Sequence, residues 1–290
     1  MSGSNKKRMI LVPIDFTDIT IVALDQAVNL AKVIDAEITI INVTEDYGLF
    51  NKYISSSDAA QHKKDTENKL RELAKERSAS EITMHTMIAH GKIYEKINEV
   101  AEMIGATLIL MGTSGTLGLM KFIGSNTLRV IRESKIPVIS IKGQNIDHGL
   151  SSILLPLDLT KETKEKVAKA VWLSKLYDNA RVDIVSIGTS ADTFLKNKVK
   201  RQDQQVRSFL KGKGINTTHK IITDTKGKSV GQTILDYAQE VNAGLIMIMT
   251  QQENDITEMF VGSSAQAIIN GSEIPVMSVV PGNHKYEVAL

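Results

Sequence analysis

Residues 108–126 read LILMGTSGTLGLMKFIGSN. The stretch opens as a short apolar run, breaks at Gly112, carries further glycines at 115 and 118, and restarts at Gly124 and Ser125 with Thr127, Leu128, Val130 and Ile131 at helical spacing. The pattern predicts a buried parallel strand, a glycine-rich loop and a helix. Glycines let backbone approach a ligand closely, and the helix start offers unpaired N–H groups at the positive end of a dipole. Such a place attracts phosphate, although a tight turn between strand and helix satisfies the same pattern. No Gly-Lys-Ser/Thr closes the loop and no G-x-G-x-x-G occurs in it, so it is neither a Walker loop nor a dinucleotide fingerprint.

Working outward, strands and helices alternate. Residues 9–14 form an apolar run ending at Asp15, and residues 17–35 place Ile21, Leu24, Ala27, Val28, Ala31 and Ile34 at helical spacing. A strand is expected over 37–43, then a polar stretch with Tyr47, Phe50 and Tyr53, a charged helix over 58–78, a strand over 82–89, a helix over 93–105 and a last strand over 137–142. This alternation favours right-handed crossovers and a parallel sheet covered on both faces. The same landmarks then recur. Residues 10–17, ILVPIDFT, match residues 153–160, ILLPLDLT, at an offset of 143, while Gly124-Ser125 matches Gly262-Ser263 and Ile136-Pro137-Val138 matches Ile274-Pro275-Val276 at an offset of 138. Three landmarks in one order indicate a tandem duplication, with domains at 1–146 and 147–290 and a short polar linker at 143–149.

Composition agrees with two folded domains and narrows the function. At 290 residues, 42% hydrophobic, with 5 prolines, the chain can bury two cores and is not of disordered type. Lys and Arg number 18 against 17 Asp and Glu in residues 1–146, and 17 against 16 in the remainder, so charge gives no reason to expect nucleic acid or an anionic membrane as partner. The basic run KNKVKR at 196–201 reads as a solvated helix face. No cysteine is present, which removes disulfides, thiolate catalysis and cysteine metal sites and is compatible with a reducing cytoplasm. Lys6, Lys7 and Arg8 precede an apolar run that stops at Asp15, too short for a signal core or a bilayer span. Among the six histidines only His85 and His90 lie within five residues of each other, and their odd separation on a strand puts them on opposite faces, so no metal site is expected.

The loop spacing resembles the nucleotide motif of the universal stress protein family: a Gly, two residues, a Gly, nine residues, then Gly-Ser/Thr. Gly112, Gly115, Gly124 and Ser125 fit, with eight residues rather than nine between the second and third glycines. The Pro-x-Asp strand end, the Gly-Ser helix start and the closing Ile-Pro-Val strand also resemble that family, in both halves. The resemblance implies an α/β fold of two Rossmann-like domains, each a five-stranded parallel sheet with helices on both faces. It implies that the last strands, 137–142 and 275–280, pair to form an intramolecular pseudo-dimer, which would cover exposed sheet edges; a further homodimer is left open. It also implies a site for ATP or AMP, with or without Mg, built from Pro13, Asp15, Val43, Met111, Gly112, Gly115, Gly124, Ser125 and Asn126. In the family the matching Asp faces the adenosine part and the backbone after the second strand lines the adenine pocket. A carboxylate suits ribose hydroxyls or an adenine amino group. Read from its own position, Asp15 is equally a turn-former ahead of the helix beginning near Asp18.

The second half keeps Asp158 and Gly262-Ser263 but has Met249 and Gln252 where the first has Gly112 and Gly115, and its loop carries Glu253, Asp255 and Glu258. Side chains would stand where backbone should approach phosphate, and three carboxylates would repel it. The second half is therefore expected not to bind ATP in the family's manner, its Asp and Gly-Ser serving the fold or a less anionic ligand. No G-x-S-x-G elbow and no recognisable base and nucleophile occur, so catalysis beyond slow ATP hydrolysis is not expected. The reading is a cytoplasmic, regulatory adenine-nucleotide binder acting on an unidentified protein partner. The alternatives are a nucleotide-free scaffold and a small-molecule enzyme.

Overall fold

A computed structural model of the chain describes residues 7–45, 56–78, 82–113, 124–142, 150–159, 163–250 and 262–280. The expected linker at 143–149, Gly115 and Gly118, the tyrosines at 47 and 53, Lys121 and the acidic loop of the second half lie outside these residues.

The first half runs β1 (Arg8–Pro13), α1 (Asp18–Ile34), β2 (Ala36–Thr44), α2 (Ser56–Ser78), β3 (Met84–His90), α3 (Ile93–Ile104), β4 (Leu108–Gly112), α4 (Ser125–Glu133) and β5 (Val138–Ile141). The second repeats it as β6 (Ser152–Leu157), α5 (Thr163–Leu176), β7 (Arg181–Ile187), α6 (Thr193–Gly212), β8 (Thr217–Ile222), α7 (Val230–Glu240), β9 (Leu245–Met249), α8 (Ser263–Gly271) and β10 (Val276–Val279). Element type follows the apolar pattern throughout, with boundaries moved by one or two residues, as hydrogen-bond definitions of an element's end allow. β1 stops at Pro13, yet the ladder reaches one residue further, where the Ile14 amide donates to the Ile41 carbonyl at 2.8 Å.

All ten strands form one sheet in the order β3-β2-β1-β4-β5-β10-β9-β6-β7-β8. Within each half the pairing is parallel, and the two halves meet where β5 runs antiparallel to β10, with Ile139 opposite Met277. This is the strand pairing expected from the resemblance. β9, LIMIM, is buried at every position, as befits a strand covered on both faces. The outermost strands β3 and β8 instead expose His85, His90, Thr218 and His219, polar side chains that blunt a free edge.

Two cores result. On one face, Leu24, Ala27 and Leu70 from α1 and α2 and Val167, Ala170 and Leu210 from α5 and α6 pack on alternate strand residues in a cluster that crosses the seam between the halves. On the other, Ile97 and Val130 of α3 and α4 and Ile234 and Ile268 of α7 and α8 do the same. Each fully buried Ile, Leu or Val contributes about 1.5–3 kcal/mol relative to exposure. Residues 196–201 lie on α6 and are exposed except Val199, whose side chain is buried, as the solvated-face reading anticipates.

Candidate nucleotide site

Within each half the parallel order sends every strand's carboxyl end to one edge, and in the first half the chain crossovers leave a crevice there beside β1 and β4. A cavity of about 230 Å³ occupies that crevice in the first half, lined among others by Pro13, Asp15, Val43, Met111, Gly112, Gly124, Ser125 and Asn126. Eight of the nine residues proposed from sequence thus surround one space, and the ninth, Gly115, lies outside the described residues. Ile14, Thr20, Ile41, Ile93, Ile97 and Thr127 complete the lining.

Asp15 follows β1 and lies open to solvent on one side. Its Oδ1 accepts from the Thr17 amide at 3.0 Å, the Thr17 hydroxyl at 2.6 Å and the Thr20 hydroxyl at 2.9 Å. Partial burial pushes this carboxyl up, but the hydrogen bonds from Thr17 and Thr20 outweigh it and hold it below the ordinary 3.8, so it is ionised at neutral pH. The turn-forming role and the ligand-facing position therefore coexist in one side chain. The turn is tight: Phe16 adopts φ 65°, a left-handed conformation that costs a bulky residue energy and occurs at sites where the fold dictates it. The Asn42 amide donates to the Ile14 carbonyl at 2.8 Å and ties the ends of β1 and β2 together beside Val43.

Gly112 ends β4. A Cβ built on it would lie 2.6 Å from the Ile19 carbonyl oxygen of α1 and 2.9 Å from the carbonyl carbon. The glycine is thus demanded by the first turn of α1, a packing reason that the sequence pattern did not show. Beyond it, Thr113 is anchored by its amide and hydroxyl to the Ile141 carbonyl at 2.9 and 3.1 Å. The chain returns at Gly124, the N-cap of α4, where a Cβ would meet nothing within 4 Å and no side chain of the cap closes the helix. The Thr127 amide donates to the Gly124 carbonyl at 3.1 Å, and the amides of Ser125 and Asn126 open the helix with no acceptor within it.

The second half builds the same strand-end turn with a different partner for its carboxylate. Thr163 donates to Asp158 Oδ1 at 2.8 Å, mirroring Thr20 and Asp15 at the offset of 143. Three residues further, where the first half has Ala23, stands Lys166. Its side chain is 2% exposed, and its ammonium donates to the Pro156 carbonyl at 2.5 Å and to Asp158 Oδ2 at 3.3 Å. Burial pushes this lysine down, opposed by the Asp158 carboxylate. Asp158 is retained as the partner of an internal cation. Sequence reading missed Lys166 because a charge within a helix normally faces solvent; the alignment with buried Ala23 was the available signal. It missed Thr20, Ile93 and Ile97 because they sit at core spacing on α1 and α3.

Two roomier hollows exist. One of about 340 Å³ lies over the seam between Leu30, Ile139, Leu173 and Tyr177, and one of about 530 Å³ lies between α5 and α6. Neither brings a carboxylate together with a Gly-Ser helix start, as the smaller cavity does. Among the described residues no group of three His, Asp or Glu could hold a metal, and no helix is long and apolar enough to cross a membrane.

Comparison with known proteins places this geometry in a family. The model of the universal stress protein family matches twice, over residues 7–142 and 150–280. A universal stress protein of Methanocaldococcus jannaschii is 31% identical over 145 residues, covering 49% of this chain and 85% of the relative, and one of Bacillus subtilis is 29% identical over 143 residues, covering 46% and 97%. A crystal structure of a universal stress protein from Archaeoglobus fulgidus superposes with TM-score 0.75 at 20% identity over 94% of this chain and 96% of that one. A universal stress protein structure from Pseudomonas aeruginosa does so with TM-score 0.71 at 18% identity over 98% of each. These two likenesses speak for the fold, and the family match for membership: the chain belongs to the universal stress protein family, as a tandem member with a copy of the domain in each half.

Proposed function

We propose that the first half binds an adenine nucleotide, ATP or AMP, and that the protein is a cytoplasmic regulator in the stress response rather than an enzyme. The observation that carries the reading is the convergence of Asp15, Val43, Met111, Gly112, Gly124 and Ser125 on one cavity at the carboxyl edge of the sheet. The ionised Asp15 is placed to accept from ribose hydroxyls or the adenine amino group, and Ile41, Val43, Ile93 and Ile97 supply apolar walls for a base. A cavity of about 230 Å³ is below the ~300–1,000 Å³ usual for whole ligands, so the phosphates extend beyond it toward the open start of α4. Among the described residues Asp15 is the single carboxylate in the lining, which suits Mg held chiefly by phosphate oxygens and water. With no second carboxylate and no histidine among the described lining residues to act as general base, the reading includes slow hydrolysis at most.

In the second half the Asp158 carboxylate is engaged by Lys166, which favours a scaffold role for that domain and a single nucleotide site per chain. Occupancy would bias the conformation presented to a protein partner.

The test is thermal unfolding with and without Mg-ATP, with GTP as control, on the parent and on Asp15→Ala. Ligand at a hundred times its dissociation constant adds about 2.7 kcal/mol, a shift on the order of several degrees. A shift with ATP that Asp15→Ala loses supports the reading. No shift, in protein shown by denaturation to carry no copurified nucleotide, leaves the nucleotide-free scaffold.

A further inference from the structure

Among the described residues the cavity lining contains Asp15 and no Lys or Arg, and the charge of these residues alone would repel a polyphosphate. The partial positive charge at the start of α4 offsets only part of that. A cation stands one turn further along the same helix. Arg129 follows Ser125 by four residues and so lies on the same helix face. Its guanidinium sits 5.0 Å from the ring centroid of Tyr94, in the first turn of α3 and adjacent to the cavity residue Ile93. Both helices begin at the carboxyl edge, so the stacked pair stands at the rim of the cavity. The neighbouring cations of α3 are engaged: Lys92 with Glu95 at 2.8 Å and Lys96 with Glu99 at 2.6 Å. Arg129 is exposed and pairs with no carboxylate among the described residues.

The second half supplies an internal control. α7 starts at Val230 where α3 starts at Ile93, which puts Gly231 opposite Tyr94, and the Gly-Ser offset puts Ala267 opposite Arg129. A Cβ built on Gly231 would lie 2.7 Å from the Ala267 Cβ. The two positions therefore touch in both halves, as ring and guanidinium in one and as bare backbone and methyl in the other. Because α7 and α8 pack without ring or charge, the fold does not require them. They are present in the half with the glycine loop and missing in the half whose loop carries Glu253, Asp255 and Glu258.

Resting on the adenine-nucleotide reading above, we propose that Tyr94 holds α3 apart from α4 and presents the Arg129 guanidinium to the terminal phosphates. The site then selects nucleoside di- and triphosphates over AMP and adenosine. Stacking orients the guanidinium without neutralising it, which leaves its N–H donors for phosphate oxygens. Tyr94 is a positioning residue and Arg129 the contacting one.

Calorimetric titration of the whole chain with ATP, ADP, AMP and adenosine tests this, on the parent, Arg129→Ala, Arg129→Lys and Tyr94→Leu. The expected result is at least a tenfold loss of ATP affinity in Arg129→Ala, with AMP and adenosine changed by less than about threefold, since a charge contact is lost only where phosphate reaches it. Arg129→Lys should recover part of the ATP affinity, and Tyr94→Leu should narrow the ratio of ATP to AMP. Equal losses for all four ligands, or none, would show a merely structural pair and overturn the proposal while leaving nucleotide binding intact. A parent that binds AMP and adenosine as tightly as ATP does the same. A parent that binds none of the four overturns the nucleotide reading, and this proposal with it.

Discussion

Gly112 shows how one residue can satisfy two explanations of which only packing is visible. The motif reading made it a bed for phosphate; the structure shows its missing side chain to be space taken by the Ile19 carbonyl, 2.6 Å from where a Cβ would be. The expected outcome for Gly112→Ala is a loss of about 1–3 kcal/mol of stability even without nucleotide, because backbone at such a distance has to move. A lowered urea midpoint at unchanged slope would register it; an unchanged midpoint would mean that α1 shifts freely. Asp15 was legible in sequence because a polar residue ending a parallel strand falls at the ligand edge. Thr20 was not, since its hydroxyl is buried on α1 and only the fold brings it 2.9 Å from that carboxylate.

At the scale of elements, α1 and α5 are the instructive pair. Both follow a Pro-x-Asp strand end and both cap its carboxylate with a threonine five residues on, at 2.9 and 2.8 Å. They part at Ala23 and Lys166. A buried ammonium gains from its carboxylate partner about what desolvation takes away, so its apolar stem can matter as much as its charge. Lys166→Met, which keeps the volume, should cost under about 1.5 kcal/mol, whereas Lys166→Ala, which opens a hole, should cost about 2–4 kcal/mol. Denaturant midpoints of the two variants decide it, and equal, large losses would show that the ion pair and not the filling sustains the second half.

In the whole molecule the seam between β5 and β10 joins two five-stranded domains into one ten-stranded sheet. Its Ile139 and Met277 belong to a core cluster shared by both halves, and the Lys142 ammonium donates to the Asn270 carbonyl across it. An isolated first half would present β5 as a bare apolar edge. The half-length Bacillus subtilis relative, matched over 97% of its chain, shows that one domain can be an entire protein. Residues 1–142 alone are therefore expected to associate as a two-fold dimer through β5, seen as a doubled mass by light scattering. A monomeric half would mean that the seam adds nothing that a single domain needs.

What the sequence determined by itself was local and periodic. Strands announced themselves as apolar runs, helices as spaced apolar stripes, and the duplication as three landmarks in one order; Asp15, Gly112, Gly124 and Ser125 stood out because each ends or begins such an element, and Val43 was named through the family resemblance. Only the tertiary structure decided which of them share a space, why Gly112 has no side chain, that Lys166 turns inward onto Asp158, and that Arg129 lies over Tyr94. The reason is physical: secondary-structure signals repeat every two or 3.6 residues along the chain, while the contacts that define a site join residues far apart in sequence and depend on how closely two helices approach.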